Sequence, residues 1–173
     1  MDTEFDTTKL RSARMRLIGK YEEIESEAQN LREAYTGLNR LSNSRTADRS
    51  SLMIDKLDVN GIKKLLGDIY AYDDQMKRVH KLEAAFTGLV LELLAYATRI
   101  ISITLDQEHK YDAVVSGALR KLKDIIDDLG PHYSCPQALP MLLHMRFVLE
   151  DRTGTCNLSL MRSRINALMR VVR

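Results

Sequence analysis

The sequence predicts an all-α protein, a bundle of five or six helices that begins with a long, heptad-patterned helix. Only three prolines and eight glycines interrupt its 173 residues. Apolar residues recur every three or four positions, which is the period of a helix and not that of a strand. Because a chain of this length buries one core of ordinary size, we expect a single helical domain over residues 1–173.

The first helix is predicted over residues 7–41 from a sevenfold repeat. Leucine or isoleucine occupies every seventh position from Leu10 to Leu38, and a second set of residues follows four places after each. This is the a/d pattern of a coiled coil, continued for about five repeats. We expect its apolar edge to pack against the same helix of another copy. The predicted self-association residues are Leu10, Leu17, Tyr21, Ile24, Ala28, Leu31, Tyr35 and Leu38.

A polar connector is predicted over residues 42–57, followed by a helical core over residues 58–173. The connector contains "SNSRTADRSS", and Asp58 is suited to cap the helix that follows it. Residues 82–105 are apolar nearly all round, which is typical of the most buried helix of a bundle. Glu92 and Arg99 interrupt this stretch. A membrane span is therefore not expected, and the two charges are expected to pair across helices.

Three further helices are predicted after the core helix. Asp106 is expected to cap the next one, which ends at Gly130 and Pro131. A short helix is expected over residues 137–151. The last helix should begin near Asn157, and residues 152–173 carry five arginines and no acid. The sequence therefore predicts a basic C-terminal helix, although the net charge of the whole chain is only +2.

The opening of the chain resembles, superficially, the basic-leucine-zipper family. Five basic residues, Lys9, Arg11, Arg14, Arg16 and Lys20, stand within or beside the sevenfold leucines. That family keeps its basic stretch ahead of the zipper and carries an asparagine in it. Here the heptad already runs through the basic stretch, which contains no asparagine, so no family is assigned. Lys20 and Glu23, three residues apart, also suit an ordinary helix ion pair.

Nucleic-acid binding is the alternative function, through the phosphate backbone. Two basic flanks predict it: Lys9, Arg16 and Lys20 on the first helix, and Arg162, Asn166, Arg170 and Arg173 on the last. Since no aromatic residue lies between the C-terminal arginines, base stacking is not expected on that surface. Such contacts depend steeply on salt and little on sequence.

Metal binding and catalysis have weaker support in the sequence. His132, Cys135, His144 and Cys156 fall within 25 residues of sequence, but only the first two have the short spacing of a zinc knuckle. Asp106 and His109 form a single D-x-x-H, whereas a di-iron bundle needs two such elements and more carboxylates. No nucleophile elbow, phosphate-binding glycine loop or H-E-x-x-H is present. We therefore predict no catalytic residue, metal, cofactor or small-molecule substrate.

The favoured function is a non-enzymatic helical scaffold or assembly protein that forms homo-oligomers through its N-terminal helix. No segment combines the basic, apolar and small-residue regions of a secretory signal, so a cytoplasmic location is expected. Two cysteines in a reducing compartment are expected to be buried thiols and not a disulfide.

Overall fold

A computed structural model describes residues 2–54, 59–107, 112–150 and 157–172, with side chains in the first range described for residues 8–47. These residues form α-helices and one short 3₁₀ turn, with no strand among them, which confirms the all-α class. The helices are α1 (Asp2–Ile54), α2 (Val59–Asp106), α3 (Ala113–Leu129), α4 (Leu139–Leu149) and α5 (Leu158–Val172); the 3₁₀ turn is Gly130–His132.

The two longest helices, α1 and α2, form an antiparallel hairpin. They contain 53 and 48 residues, which corresponds to ~80 and ~70 Å. Two contacts show that the helices are antiparallel. Lys20, early in α1, contacts Glu92, late in α2, whereas Arg45, late in α1, lies over the ring of Tyr72, early in α2. Helices α3 and α5 pack against this hairpin, and α4 packs on α3 and α5.

The predicted connector over residues 42–57 is wrong for most of its length, because α1 continues through it to Ile54. The segment is polar, but it contains neither glycine nor proline. Polar side chains alone do not end a helix when they face water, and Thr46 donates its hydroxyl hydrogen to the carbonyl of Ser42 one turn earlier. Asp58, the expected cap of α2, lies outside the described residues.

The heptad edge of α1 is buried by its own chain. Six of the eight predicted self-association residues belong to the core, with exposed fractions of zero for Leu17, Ile24, Ala28 and Leu31 and 7% for Leu10 and Tyr35. Tyr21 and Leu38 pack against the same core. The expectation that this edge packs on another copy is therefore corrected: α2 and α3 of the same chain cover it.

Helix α3 runs alongside α1 in the same direction. Arg14 of α1 binds Asp112 near the start of α3, and Arg32 Nε of α1 lies 2.8 Å from Asp128 Oδ2 near the end of α3. Its N-cap is Asp112, whose carboxylate accepts a hydrogen bond from the backbone N–H of Val115 at 3.0 Å. The predicted cap, Asp106, is instead the last residue of α2. The predicted end before Gly130 and Pro131 is confirmed.

Helices α4 and α5 complete the core and contact each other. The short helix α4 packs on α3, and α5 packs on α2. The predicted start of α5 near Asn157 is confirmed, since Asn157 Oδ1 accepts a hydrogen bond from the Leu160 N–H at 3.1 Å. Short α4 begins at Leu139, close to the predicted position.

The outer part of the hairpin is a two-helix arm, which we define as residues 36–54 and 59–78. No described side chain in it is fully buried, whereas the core begins at Tyr35 on α1 and at Val79 on α2. From Val59 to Val79, α2 rises by ~30 Å. The arm therefore presents far more helix surface per residue than the rest of the chain.

Candidate functional site

The outward face of the arm carries an exposed apolar stripe on α2. Val59, Leu66 and Tyr70 are 65%, 45% and 66% exposed. Their spacings of seven and four residues place them within about 40° of one another around the helix. Ile62 and Ile69, about 60–80° further round the helix from Val59, are partly buried. This stripe is apolar surface beyond what the hairpin uses for its own packing.

Charged residues flank this stripe in a pattern that suits a two-fold partner. Lys63 and Asp74 are exposed and stand eleven residues apart, close to three full turns, so they lie on the same flank of the stripe. Neither makes an ion pair with another described residue. The flank thus has a positive charge near the tip of the arm and a negative charge nearer the core.

A basic groove lies between the start of α1 and the second half of α2. It has a volume of about 320 Å³ and is lined by Thr8, Lys9, Ser12, Ala13, Arg16, Tyr96 and Arg99. Arg16 and Arg99 are exposed and form no ion pair with a described residue. Among the residues whose side chains the structure describes, no acid lines this groove. Positive charge on both walls makes it a candidate site for an anion.

Lys20, the third member of the predicted N-terminal basic flank, does not join the groove. Its ammonium nitrogen lies 2.7 Å from Glu92 and 2.9 Å from Glu23, and its side chain is 15% exposed. Hydrogen bonds to Glu92 and then to Glu23 raise the pKa of Lys20 above its usual range. The expected pairs of Glu92 across helices and of Lys20 with Glu23 are both present. The charge of Lys20 is therefore already neutralised.

The predicted C-terminal flank is separate from the groove. Asn166 and Arg170 are exposed on α5, and Arg162 is partly buried. None of them lines the groove, and Arg173 lies outside the described residues. The two basic flanks are consequently not brought into one site by the described part of the chain.

A buried carboxylate, which sequence reasoning missed, joins both hairpin helices to the segment between α3 and α4. The side chain of Glu83 has no exposed surface. Its oxygens accept hydrogen bonds from the Tyr35 hydroxyl at 2.8 Å, the Ser134 N–H at 3.0 Å and the Cys135 N–H at 2.7 Å. We call these four residues with Tyr133 the Glu83 cluster. The Tyr133 hydroxyl donates to the main-chain oxygen of Glu83 at 2.8 Å.

The tyrosines of the Glu83 cluster are held in their neutral form. Burial raises the pKa of Tyr35 above its usual range, and the hydrogen bond to Glu83 and the charge of that carboxylate add to the shift. Burial and the charge of Glu83 also raise the pKa of Tyr133, against the opposing effect of its hydrogen bond with Thr87. Because Tyr35, Ser134 and Cys135 all donate hydrogen bonds to the Glu83 carboxylate, the cluster holds the hairpin to the segment between α3 and α4.

The residues considered for a metal do not converge in the described part of the chain. His132 packs its ring 5.3 Å from that of Tyr35, Cys135 is buried in the Glu83 cluster, and His144 is exposed on α4. Cys156 and His109 lie outside the described residues. Among those described, no three His, Cys, Asp or Glu residues form a group that could hold a metal ion.

Helix α2 is also long and apolar enough to cross a membrane by length and composition, with a mean hydropathy of 1.6 in its most apolar stretch. Core helices of water-soluble bundles have the same property. Here the apolar residues Phe86, Val90, Leu93 and Leu94 are fully buried against other parts of the chain.

No protein-family model, no curated protein and no solved structure matches this chain. No function is therefore transferred to it from a relative.

The sequence contained a signal for Glu83 but not for the position of Arg99. Glu83 stands on the apolar face of α2, four residues after Val79 and three before Phe86, and an acid at such a position requires buried donors. Arg99 was expected to pair across helices like Glu92, but it forms no ion pair with a described residue. Its position across a groove from Arg16 depends on how the two helices pair, which no spacing within one helix reveals.

Proposed function

We propose that this protein is a non-enzymatic helical scaffold, cytoplasmic in location, whose bundle self-associates through the outward face of its two-helix arm. The observation that carries the proposal is the exposed stripe of Val59, Leu66 and Tyr70 on a segment with no fully buried side chain. Spacings of seven and four residues are those with which helices pair along an apolar seam. The partner is a second copy of the chain, in place of the heptad contact expected from the sequence.

The charges beside the stripe favour an antiparallel, two-fold pairing of the arms. In an antiparallel two-fold pair each flank of the stripe meets the same flank of the other copy. With the centre of the contact near residue 68, Leu66 and Tyr70 of the two copies meet. Lys63 of each copy then lies beside Asp74 of the other. In a parallel two-fold pair this flank would meet the opposite flank of the other copy, so Lys63 and Asp74 would not face each other.

This contact is at the small end of specific interfaces, so the expected assembly is reversible. One pair of helices about 30 Å long buries less surface than a permanent dimer. We therefore expect a concentration-dependent equilibrium in a series that reaches ~100 µM. Sedimentation velocity across that series measures it, and a chain that stays monomeric throughout disproves the proposal.

Charge reversals supply the sharper test. Lys63→Glu alone and Asp74→Lys alone should each weaken the dimer by roughly tenfold, because each places two like charges together at two symmetric positions. The double variant Lys63→Glu/Asp74→Lys should restore it. Arg120→Glu is the matched control, since it makes the same change in charge as Lys63→Glu at an exposed position of α3, outside the arm. No recovery in the double variant would contradict the antiparallel arrangement.

The apolar stripe is tested separately. Leu66→Ser should abolish dimers over the same concentrations without unfolding the protein, because the side chain is 45% exposed in the single chain. Unchanged sedimentation of this variant would remove the stripe from the interface.

A further inference from the structure

We infer that the basic groove between α1 and α2 binds single-stranded nucleic acid, with phosphates on its cations and a base on the ring of Tyr96. This binding is independent of self-association. It uses residues at the end of the hairpin opposite the arm. The inference rests on three features of the groove: Arg16 and Arg99 on opposite walls, which form no ion pair with a described residue, one aromatic ring in the lining, and a concave shape.

The cations stand where they can follow a chain of phosphates. Lys9 and Arg16 are seven residues apart on α1, which separates them by ~10 Å along the helix. Arg99 faces them from α2 across the groove. Arginine binds phosphate through two parallel hydrogen bonds, and neither Arg16 nor Arg99 spends its guanidinium on a described acid. The hydroxyl of Ser12 in the same lining is a further donor to phosphate oxygen.

Tyr96 makes the groove suitable for a base as well as for phosphate. Its side chain packs partly against the core, which fixes its position, and still contributes to the lining of the groove. An aromatic ring beside a row of cations is the arrangement with which proteins bind single strands. The bases of a duplex are already stacked on each other, so only an unpaired strand offers a base to this ring.

The shape of the site distinguishes a strand from a membrane surface. A volume of about 320 Å³ between two helices is at the lower end of the range of small-ligand pockets. Membrane-surface binding uses a convex helix face with apolar residues directed outward, whereas here the charges line a concavity. A flexible strand enters such a groove and a lipid surface does not.

The test compares two oligomers that have the same number of phosphates: a fluorescent thymidine oligomer and an abasic oligomer of equal length. The full chain should bind the thymidine oligomer at low salt, at least tenfold more tightly than the abasic one, since stacking contributes only to the first. Three phosphate contacts should give a slope of about −2 for log K against log salt. Fluorescence anisotropy measures both quantities.

Variants assign the two kinds of contact. Tyr96→Leu should reduce affinity for the thymidine oligomer roughly tenfold and leave the abasic oligomer unchanged, whereas Tyr96→Phe should retain the preference. The double variant Arg16→Gln/Arg99→Gln should weaken the binding of both oligomers and reduce the slope of log K against log salt by more than half. Arg11→Gln is the matched control, because Arg11 is exposed on another side of α1 and does not line the groove. A thermal melt of each variant shows that it is folded.

Several results would overturn the inference. Equal affinity for the two oligomers, or an unchanged preference in folded Tyr96→Leu, removes the base contact. If the double variant and Arg11→Gln reduce the affinity for the oligomers equally, the groove is not the binding site. Binding to vesicles of phosphatidylserine and phosphatidylcholine in the absence of any binding to either oligomer assigns the cations to a lipid surface instead.

Discussion

Removal of the Glu83 carboxylate should cost a large part of the stability of the fold. In Glu83→Leu the volume of the side chain is nearly kept, but two buried donors, the Tyr35 hydroxyl and the Cys135 N–H, lose their acceptor. Each buried donor left without a partner costs about 1–3 kcal/mol. The expected loss is therefore about 2–6 kcal/mol, against a total stability of about 5–15 kcal/mol for a typical domain.

Urea unfolding followed by circular dichroism measures this loss, and two comparisons make it specific. Glu92→Gln is the control on the same helix, because that carboxylate is 58% exposed and an exposed ion pair contributes about 0.2–1 kcal/mol. Adding Tyr35→Phe to Glu83→Leu removes one of the two unpaired donors and should recover about 1–3 kcal/mol. A loss below about 1 kcal/mol for Glu83→Leu would refute the role of the cluster as a join between the hairpin and the α3–α4 segment.

Three further outcomes follow from the same structure. Asp112→Ala should destabilise the protein by about 2 kcal/mol, because it removes the N-cap of α3 and leaves its donors unpaired; thermal unfolding checks this. Ile24→Ala, at a site with no exposed surface, should cost about 2–5 kcal/mol at every protein concentration, whereas Ile18→Ala, at a 45% exposed site, should cost well under half of that. A concentration-dependent loss for Ile24→Ala would mean that another copy covers the heptad edge. Stability should also fall in alkali, because burial and a hydrogen bond to Glu25 raise the pKa of Tyr21 to about 12. The neutral Tyr21 side chain therefore stabilises the fold fully below about pH 10, the usual pKa of tyrosine in an unfolded chain, and this stabilisation is lost as the pH rises through about 12. Urea titrations at several pH values would show the loss.

Helix class and several helix ends were predictable because they depend on residues close in sequence. The stop at Gly130 and Pro131 is local backbone chemistry, and so is the start of α5 at Asn157. The two errors of this kind have local causes as well. The polar segment after residue 41 contains no helix breaker and does not end α1, and the cap of α3 is Asp112, six residues after the predicted Asp106.

The partner of the heptad edge was not predictable from its pattern. An a/d repeat shows that one face of α1 must be covered, but an apolar face has no means of distinguishing a helix of its own chain from one of another copy. The candidate sites depend on the same kind of information. Arg16 and Arg99 are 83 positions apart in sequence and line one groove only because α1 and α2 pair in this register.

From the sequence it follows that this protein is helical, that α1 has one continuous apolar edge and that residues 152–173 carry arginines without an acid. Periodicity and composition act within a few turns of helix, so each of these properties is present in any short stretch of the chain. Tertiary structure alone decided that the edge is covered from within, that Lys20 is neutralised by Glu92, that Glu83 is enclosed by donors, and that the arm keeps an apolar stripe exposed. These outcomes depend on which helix faces which, and that is fixed by the packing of the whole chain.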